Sequence, residues 1–257
     1  MTATPERPPA SGTARASAVL GLVTRAADAH RRTDLESLLR RAGERLAGAD
    51  VHVLIAGEFK QGKTSLVNAL LNVRLPADPA IGSARPVVVS NGSEPTCRLV
   101  APDGATTIDA AGAAAAITTP GPGHVELVVP RRVLAGGLVV IDTPGAGGFN
   151  DPGAAAALEA LSLADAVVLV SDAGRALTAS ELAFLAAARQ LVPTVACALT
   201  RTDLHARWRS TASVVAAQVA EAGETTTVTP VTPVIGVSAL LRPVSYTHLT
   251  LTTIYSV

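Results

Sequence analysis

The stretch Val51–Leu71 reads VHVLIAGEFKQGKTSLVNALL. Val51–Ala56 is an almost unbroken apolar run, the pattern of a strand buried on both faces. Gly57 to Thr64 then match G-x-x-x-x-G-K-[ST], and Lys63–Leu71 has helical character. A glycine-containing turn between a buried strand and a helix points backbone N–H groups inward. Together with the helix N-terminus they form a positive nest for phosphate oxygens. The residues expected to line such a nest are Gly57, Glu58, Phe59, Lys60, Gln61, Gly62, Lys63, Thr64 and Ser65. Lys63 is expected to reach the β- and γ-phosphates of a nucleotide, and the Thr64 hydroxyl to ligate Mg²⁺. The competing reading is a turn into a helix that binds nothing; the strand before it and the helix after it weigh against that.

Working outward, helix and strand signals alternate. Strands are expected at Val87–Ser90, Cys97–Val100, Val125–Val129, Leu138–Asp142, Val167–Ser171, Thr194–Thr200 and Val234–Val237. Helices are expected at Ala154–Leu163, Thr178–Leu191 and His205–Ala222, with a turn at Asp103-Gly104. Apolar strands separated by helices indicate an α/β fold, a doubly wound and mainly parallel sheet. On this reading the domain covers residues 49–243. Before it, apolar residues at helical spacing from Ser17 to Ala49 predict two helices (16–48), and the Pro/Ala/Ser/Thr-rich residues 1–15 a disordered tail. The final stretch, 244–257, contains both tyrosines and follows neither pattern. VSYTHLTLTT resembles one reading frame of a sequencing-library adapter, so a foreign tail is expected there.

The 257 residues suffice for a sizeable core, which must be aliphatic because aromatics are only 2% of the chain. Lys plus Arg equals Asp plus Glu at 21 each, so no overall charge favours nucleic acid, and no such partner is expected. No run approaches a membrane span, and the N-terminus lacks a signal-peptide pattern. The two cysteines, Cys97 and Cys197, lack metal-type spacing and read as thiols of a reducing cytoplasm.

Three further motifs carry chemistry. Leu138-Val-Val-Ile-Asp142-Thr-Pro-Gly145 puts an acid at the carboxyl end of a buried strand, where ligands bind in such sheets. Asp142 is expected to hold Mg²⁺ through water, the Gly145 amide to meet the γ-phosphate, and Gly147-Gly148 to let the loop move. The strand 194–200 ends in Thr200-Arg201-Thr202-Asp203, close to [TN]-K-x-D. A carboxylate at Asp203 can accept both the N1–H and the N2 amino hydrogens of guanine, which adenine does not offer. Arg201 replaces the usual Lys, and its stem can still lie over the purine. Last, Val234-Ile-Gly-Val-Ser238-Ala239-Leu240 leads a strand into Ser-Ala-Leu, where an amide near Ala239 would donate to guanine O6. His52, His124 and Trp208 read as packing residues, Asp172 as a turn residue and Glu181 as a solvated helix face.

The order and spacing of the four motifs resemble the GTPase class of P-loop proteins. GEFKQGKTSLVNALL is similar to the phosphate loop and first helix of the dynamin superfamily, particularly its bacterial members. PRRVLAGGLVVIDTPGAGG, ADAVVLVSDAGRALTASELAFL and LTRTDLHARW resemble the matching stretches of actinobacterial dynamin-like proteins, so the likeness runs from about residue 48 to 242. It implies a GTPase head preceded by neck-like helices, with GTP as substrate and Mg²⁺ as cofactor. It further implies pairing of heads, and membrane binding or remodelling through a stalk outside this sequence. The location it implies is the cytoplasm, peripheral at the inner membrane face. The family's switch I threonine corresponds to Ser83, which would then close over Mg²⁺ and the γ-phosphate. Eukaryotic members place a water-positioning Gln and a cation-holding Ser where Phe59 and Lys60 stand here. Phe59 cannot orient water, so Lys60 is expected to supply positive charge in cis, against the alternative of a solvated surface lysine. Two other functions stay open: a nucleotide-dependent switch with little hydrolysis, and a translation-associated GTPase.

Overall fold

The computed structural model describes residues 11–48, 50–75, 84–145, 160–161, 164–192, 194–222 and 232–239. Two compact units divide at Asp50. The first holds helices α1 (Ser11–Ala29) and α2 (Glu36–Ala47), joined through a short 3-10 turn at Thr33–Leu35. Helix α1 begins inside the stretch expected to be a disordered tail: Ser11 to Arg15 (SGTAR) are helical and free of the prolines that precede them.

The second unit is a sheet of nine strands among the described residues. They are β1 (Val51–Ala56), β2 (Val87–Asn91), β3 (Thr96–Ala101), β4 (Gly104–Thr107), β5 (His124–Val129), β6 (Leu138–Asp142), β7 (Ala166–Asp172), β8 (Thr194–Thr200) and β9 (Val234–Gly236). Their order across the sheet is β4-β3-β5-β2-β6-β1-β7-β8-β9. From β6 through β1, β7 and β8 to β9 all neighbours are parallel. Strand β2 pairs antiparallel with β6 but parallel with β5, and β3 is antiparallel to both its neighbours. The expected mainly parallel sheet is therefore present, with a mixed wing on one side.

Helices α3 (Lys63–Leu71), α4 (Ala110–Thr118), α5 (Ala179–Leu191) and α6 (Trp208–Glu221) cover the sheet. Alternate residues of one strand serve two cores. Leu54 and Ala56 join Leu169, Leu185, Leu199 and Val215 beneath α5 and α6. Ile55 joins Val67, Leu71, Val89 and Ile117 beneath α3 and α4. This double burial is why the second half of β1, Leu54–Ala56, has no polar alternation. Trp208 packs against the first core, as expected, and stacks under the Arg209 guanidinium at 4.6 Å. Of the helix expected at 154–163, only 160–161 are described, and they are helical. Helix α6 starts at Trp208, so His205 stands in the loop before it.

Candidate functional site

The residues of the sequence motifs gather at the carboxyl ends of β1, β6, β7 and β8, where parallel strands release their chains into loops. Gly57 leaves β1 with φ +150°, and a Cβ there would stand 2.2 Å from the Val170 carbonyl oxygen. Only glycine satisfies both constraints. Gly57→Ala is expected to cost about 3 kcal/mol or more of folding stability, read as a lower denaturant midpoint. An unchanged midpoint would contradict this packing.

Lys63, at the start of α3, is 5% exposed. Its Nζ donates to the carbonyls of Gly57 at 3.0 Å and Glu58 at 2.8 Å. Burial pulls its pKa down to about 8 against the support of Asp142, Glu181 and Glu58. The Thr64 hydroxyl donates to Asp142 Oδ2 at 2.8 Å. Asp142 is fully buried, and burial pushes its pKa up to about 6 although Thr64 and Lys63 oppose the shift. Its second oxygen, Oδ1, is buried and has no hydrogen-bond partner. An unpartnered buried carboxylate oxygen beside a hydroxyl and an ammonium suits a hard divalent cation, which prefers oxygen donors. Mg²⁺ fits that donor set.

Thr143 anchors the acid's strand by donating its hydroxyl to the Ile55 carbonyl at 2.9 Å. Beyond it Gly145 comes so close to the phosphate loop that a Cβ would lie 2.7 Å from Phe59 Cα and 3.0 Å from Lys63 Nζ. The first two motifs are thus brought together as expected. Ser83 and Gly147-Gly148 lie outside the described residues.

The third motif is bolted to the first. Thr200 donates its buried hydroxyl to the Gln61 carbonyl at 2.6 Å. Arg201, with φ +58°, forks: Nη2 donates to the Lys60 carbonyl at 2.7 Å and Nη1 to Asp172 Oδ2 at 2.7 Å. A lysine, with one nitrogen, lacks this planar fork. Asp203 is exposed on the same loop. Val237, leading to Ser238 and Ala239, accepts from the Thr202 amide at 3.3 Å. The fourth motif therefore lies beside the third.

Three side chains do more than the sequence suggested. Asp172 forms a turn, accepting from the Gly174 amide at 2.7 Å, and also meets His205 at 2.8 Å and Arg201. Burial opposes ionisation of Asp172, but these donors together hold its pKa below the usual value. Glu181 is not a solvated helix residue: it is 2% exposed and closes a capping box with Thr178. Thr178-x-x-Glu181 is a readable signal for that box. Arg175, which belongs to none of the motifs, joins Glu181 at 2.7 Å to Glu58 at 3.0 Å. Lys60 is exposed, with Nζ 5.3 Å from the Phe59 ring centre. His52 lies 3.6 Å from Asp165, and His124 lies 3.5 Å from Glu126. Both cysteines are free thiols; Cys197 is buried, which pushes its pKa up to about 12. Among the described residues no helix is long and apolar enough to cross a membrane.

A sequence profile of the Dynamin family matches residues 53–194. The isoniazid-induced protein IniA of Mycobacterium tuberculosis, in two strains, is 38% identical over 231 residues. That alignment takes in 84% of this chain and 35% of the relative, so the chain spans about a third of the curated relatives it matches. Two solved structures of an oligomerised bacterial dynamin pair, described as sensing and tethering membranes over long range, share the fold. They superpose at TM-scores of 0.57 and 0.60 with 17% and 15% identity. The match covers 79% and 93% of this chain, and 32% and 48% of theirs.

Proposed function

The chain belongs to the dynamin family, and from that premise we propose that its α/β unit binds GTP with Mg²⁺ and hydrolyses it to GDP and phosphate. One observation carries the reading: the Thr64–Asp142 pair, with an unpartnered buried carboxylate oxygen, beside a buried lysine held by phosphate-loop carbonyls. Each of these groups is better satisfied by a metal-bound triphosphate than by its partners in the protein alone. Lys63 exchanges two carbonyls for phosphate oxygens, and Asp142 exchanges an unmet lone pair for the cation or its water.

When bound, Mg²⁺ supplies Lewis-acid stabilisation of charge on the β- and γ-phosphate oxygens. The protein's own part is positioning and electrostatics. The loop amides from Glu58 to Thr64 and the Gly145 amide fix the phosphates. Ser83 is proposed to close over them, and Asp203, with the Ser238–Ala239 segment, to read the guanine. Water attacks the γ-phosphorus in line, and the bond to the β–γ bridging oxygen breaks. Lys60, exposed at the rim of the loop, is proposed to supply positive charge as that bond breaks. Lys60→Ala is expected to lower kcat about tenfold with KM little changed and to alter the Na⁺/K⁺ dependence. Unchanged turnover in both salts refutes this role for Lys60.

Heads are proposed to pair during turnover, and the whole protein to couple hydrolysis to a membrane, acting at the inner membrane face from the cytoplasm. The solved relatives described as membrane-tethering support this proposal. Phosphate release by the purified protein at rising concentration tests it. A specific rate that climbs with concentration supports paired catalysis. A second reading, a GTP-dependent switch with little hydrolysis, is favoured by Phe59, which offers no hydrogen bond to a water. It predicts tight GTP binding with a low rate at every concentration.

A further inference from the structure

The phosphate loop carries an acid. Glu58 is the second residue of a loop built to receive a polyanion, and its carboxylate field reaches the buried Lys63. Left uncompensated, such a charge repels phosphate. The structure shows where that charge goes. Glu58 Oε1 accepts from the Thr178 hydroxyl at 2.7 Å, and Oε2 from Arg175 Nη2 at 3.0 Å. The same guanidinium reaches Glu181 through both terminal nitrogens, at 2.7 and 3.2 Å. Glu181 in turn accepts from the Thr178 amide at 2.8 Å. One arginine thus stands between two carboxylates, and Glu181 holds its guanidinium strongly charged. Glu58 is only partly buried, with 24% side-chain exposure, and Arg175 has 34%, so the pair adds little to folding on its own. Its consequence lies in the field at the loop.

We propose that Arg175 is a positioning residue of the phosphate loop: it holds the Glu58 carboxylate against the start of α5 and offsets part of the Glu58 and Glu181 charge, so that the loop favours ligands with more phosphates. The inference rests on the GTP-binding reading above. It differs from a purely structural latch in one respect. If the geometry of Glu58 were all that mattered, removing either partner would impair every guanine nucleotide alike. If charge is what Arg175 manages, the loss must grow with the ligand's charge and shrink when Glu58 is neutral, with Glu181 keeping its own share.

The experiment is a titration of wild type, Arg175→Gln, Glu58→Gln and the double variant with Mg²⁺·GTP and Mg²⁺·GDP. Arg175→Gln is expected to weaken GTP about tenfold and GDP by clearly less, and the double variant to recover GTP to within about threefold of wild type. Equal losses for the two nucleotides, or no recovery in the double variant, overturn the inference while leaving GTP binding intact. Glu181 loses its arginine in Arg175→Gln, so that variant can fail to fold. Glu58→Gln then decides: a ratio of GTP to GDP affinity above that of wild type supports the charge account, and a ratio equal to or below it refutes it. A wild-type protein that binds neither nucleotide overturns the GTP-binding reading, and this inference with it.

Discussion

Asp142→Asn is expected to abolish Mg²⁺-dependent GTP binding and, in the same protein without nucleotide, to raise the melting temperature. The two effects have one cause. Asp142 is fully buried with one oxygen unpartnered, and its pKa is pushed up to about 6 by that burial. An acid whose folded pKa lies above its unfolded value binds more protons in the folded state between pH about 4 and 6. Stability therefore falls as pH rises through that window and stays reduced above it. The full penalty at pH 7.5 is about 3 kcal/mol at ~1.4 kcal/mol per unit. Lys63, whose charge Asp142 supports, returns part of it. A net gain of about 1–2 kcal/mol raises the melting temperature by roughly 2–8 °C for a chain of this size. Asparagine cannot offer the cation a charged oxygen, so metal-dependent affinity falls by at least about 100-fold. Thermal melts with and without Mg²⁺·GTP check both halves. A variant that is less stable without nucleotide, or that keeps its metal-dependent shift, contradicts the assignment.

Asp203→Ala is expected to leave the fold intact and to lower GTP affinity by at least about 100-fold while leaving weak ATP binding unchanged. The loop that carries Asp203 is fastened by others. Thr200 holds the Gln61 carbonyl, Arg201 holds the Lys60 carbonyl and Asp172, and the Thr202 amide holds the Val237 carbonyl. Asp203 itself is exposed, so truncating it opens no cavity. What it removes is the proposed acceptor for the guanine N1–H and N2 amino groups. The variant should melt within about 1 °C of wild type, as exposed substitutions usually do. Competition of labelled GTP with GTP, ITP and ATP reads the loss of discrimination. GTP still strongly preferred over ATP would remove Asp203 from base recognition.

Much of this architecture was legible because local pattern and burial agree. Val51–Ala56, Lys63–Leu71, Leu138–Asp142 and Thr194–Thr200 have the bounds their sequences predict. Each of the three strands has at least one parallel neighbour and a mostly apolar run whose buried residues lie on both faces. The periphery was less legible. Strand β4, Gly104–Thr107, is exposed at every residue and paired on one side, so it has no apolar signature. Helix α4 comes from an alanine-rich run that shows little periodicity, and its start is marked by Asp109, which caps the Gly112 amide at 2.7 Å. At the site, the motifs name the residues proposed to face phosphate, metal and base but not what holds them. Glu58 and Arg175 are 117 positions apart, and no local rule pairs them. Glu181 looked solvated because glutamates on helices usually are. Its burial follows from the arginine and the threonine that converge on it.

A triphosphate and its metal are proposed to sit between Lys63, Thr64 and Asp142, with guanine chosen by Asp203. Isothermal calorimetry of the folded protein with GTP and with ATP, each with and without Mg²⁺, measures this directly. The prediction is saturable heat with GTP at one site per chain, much weakened when Mg²⁺ is chelated, and at least about 100-fold weaker affinity for ATP. Absence of heat with Mg²⁺·GTP, or equal or tighter binding of ATP, would contradict it.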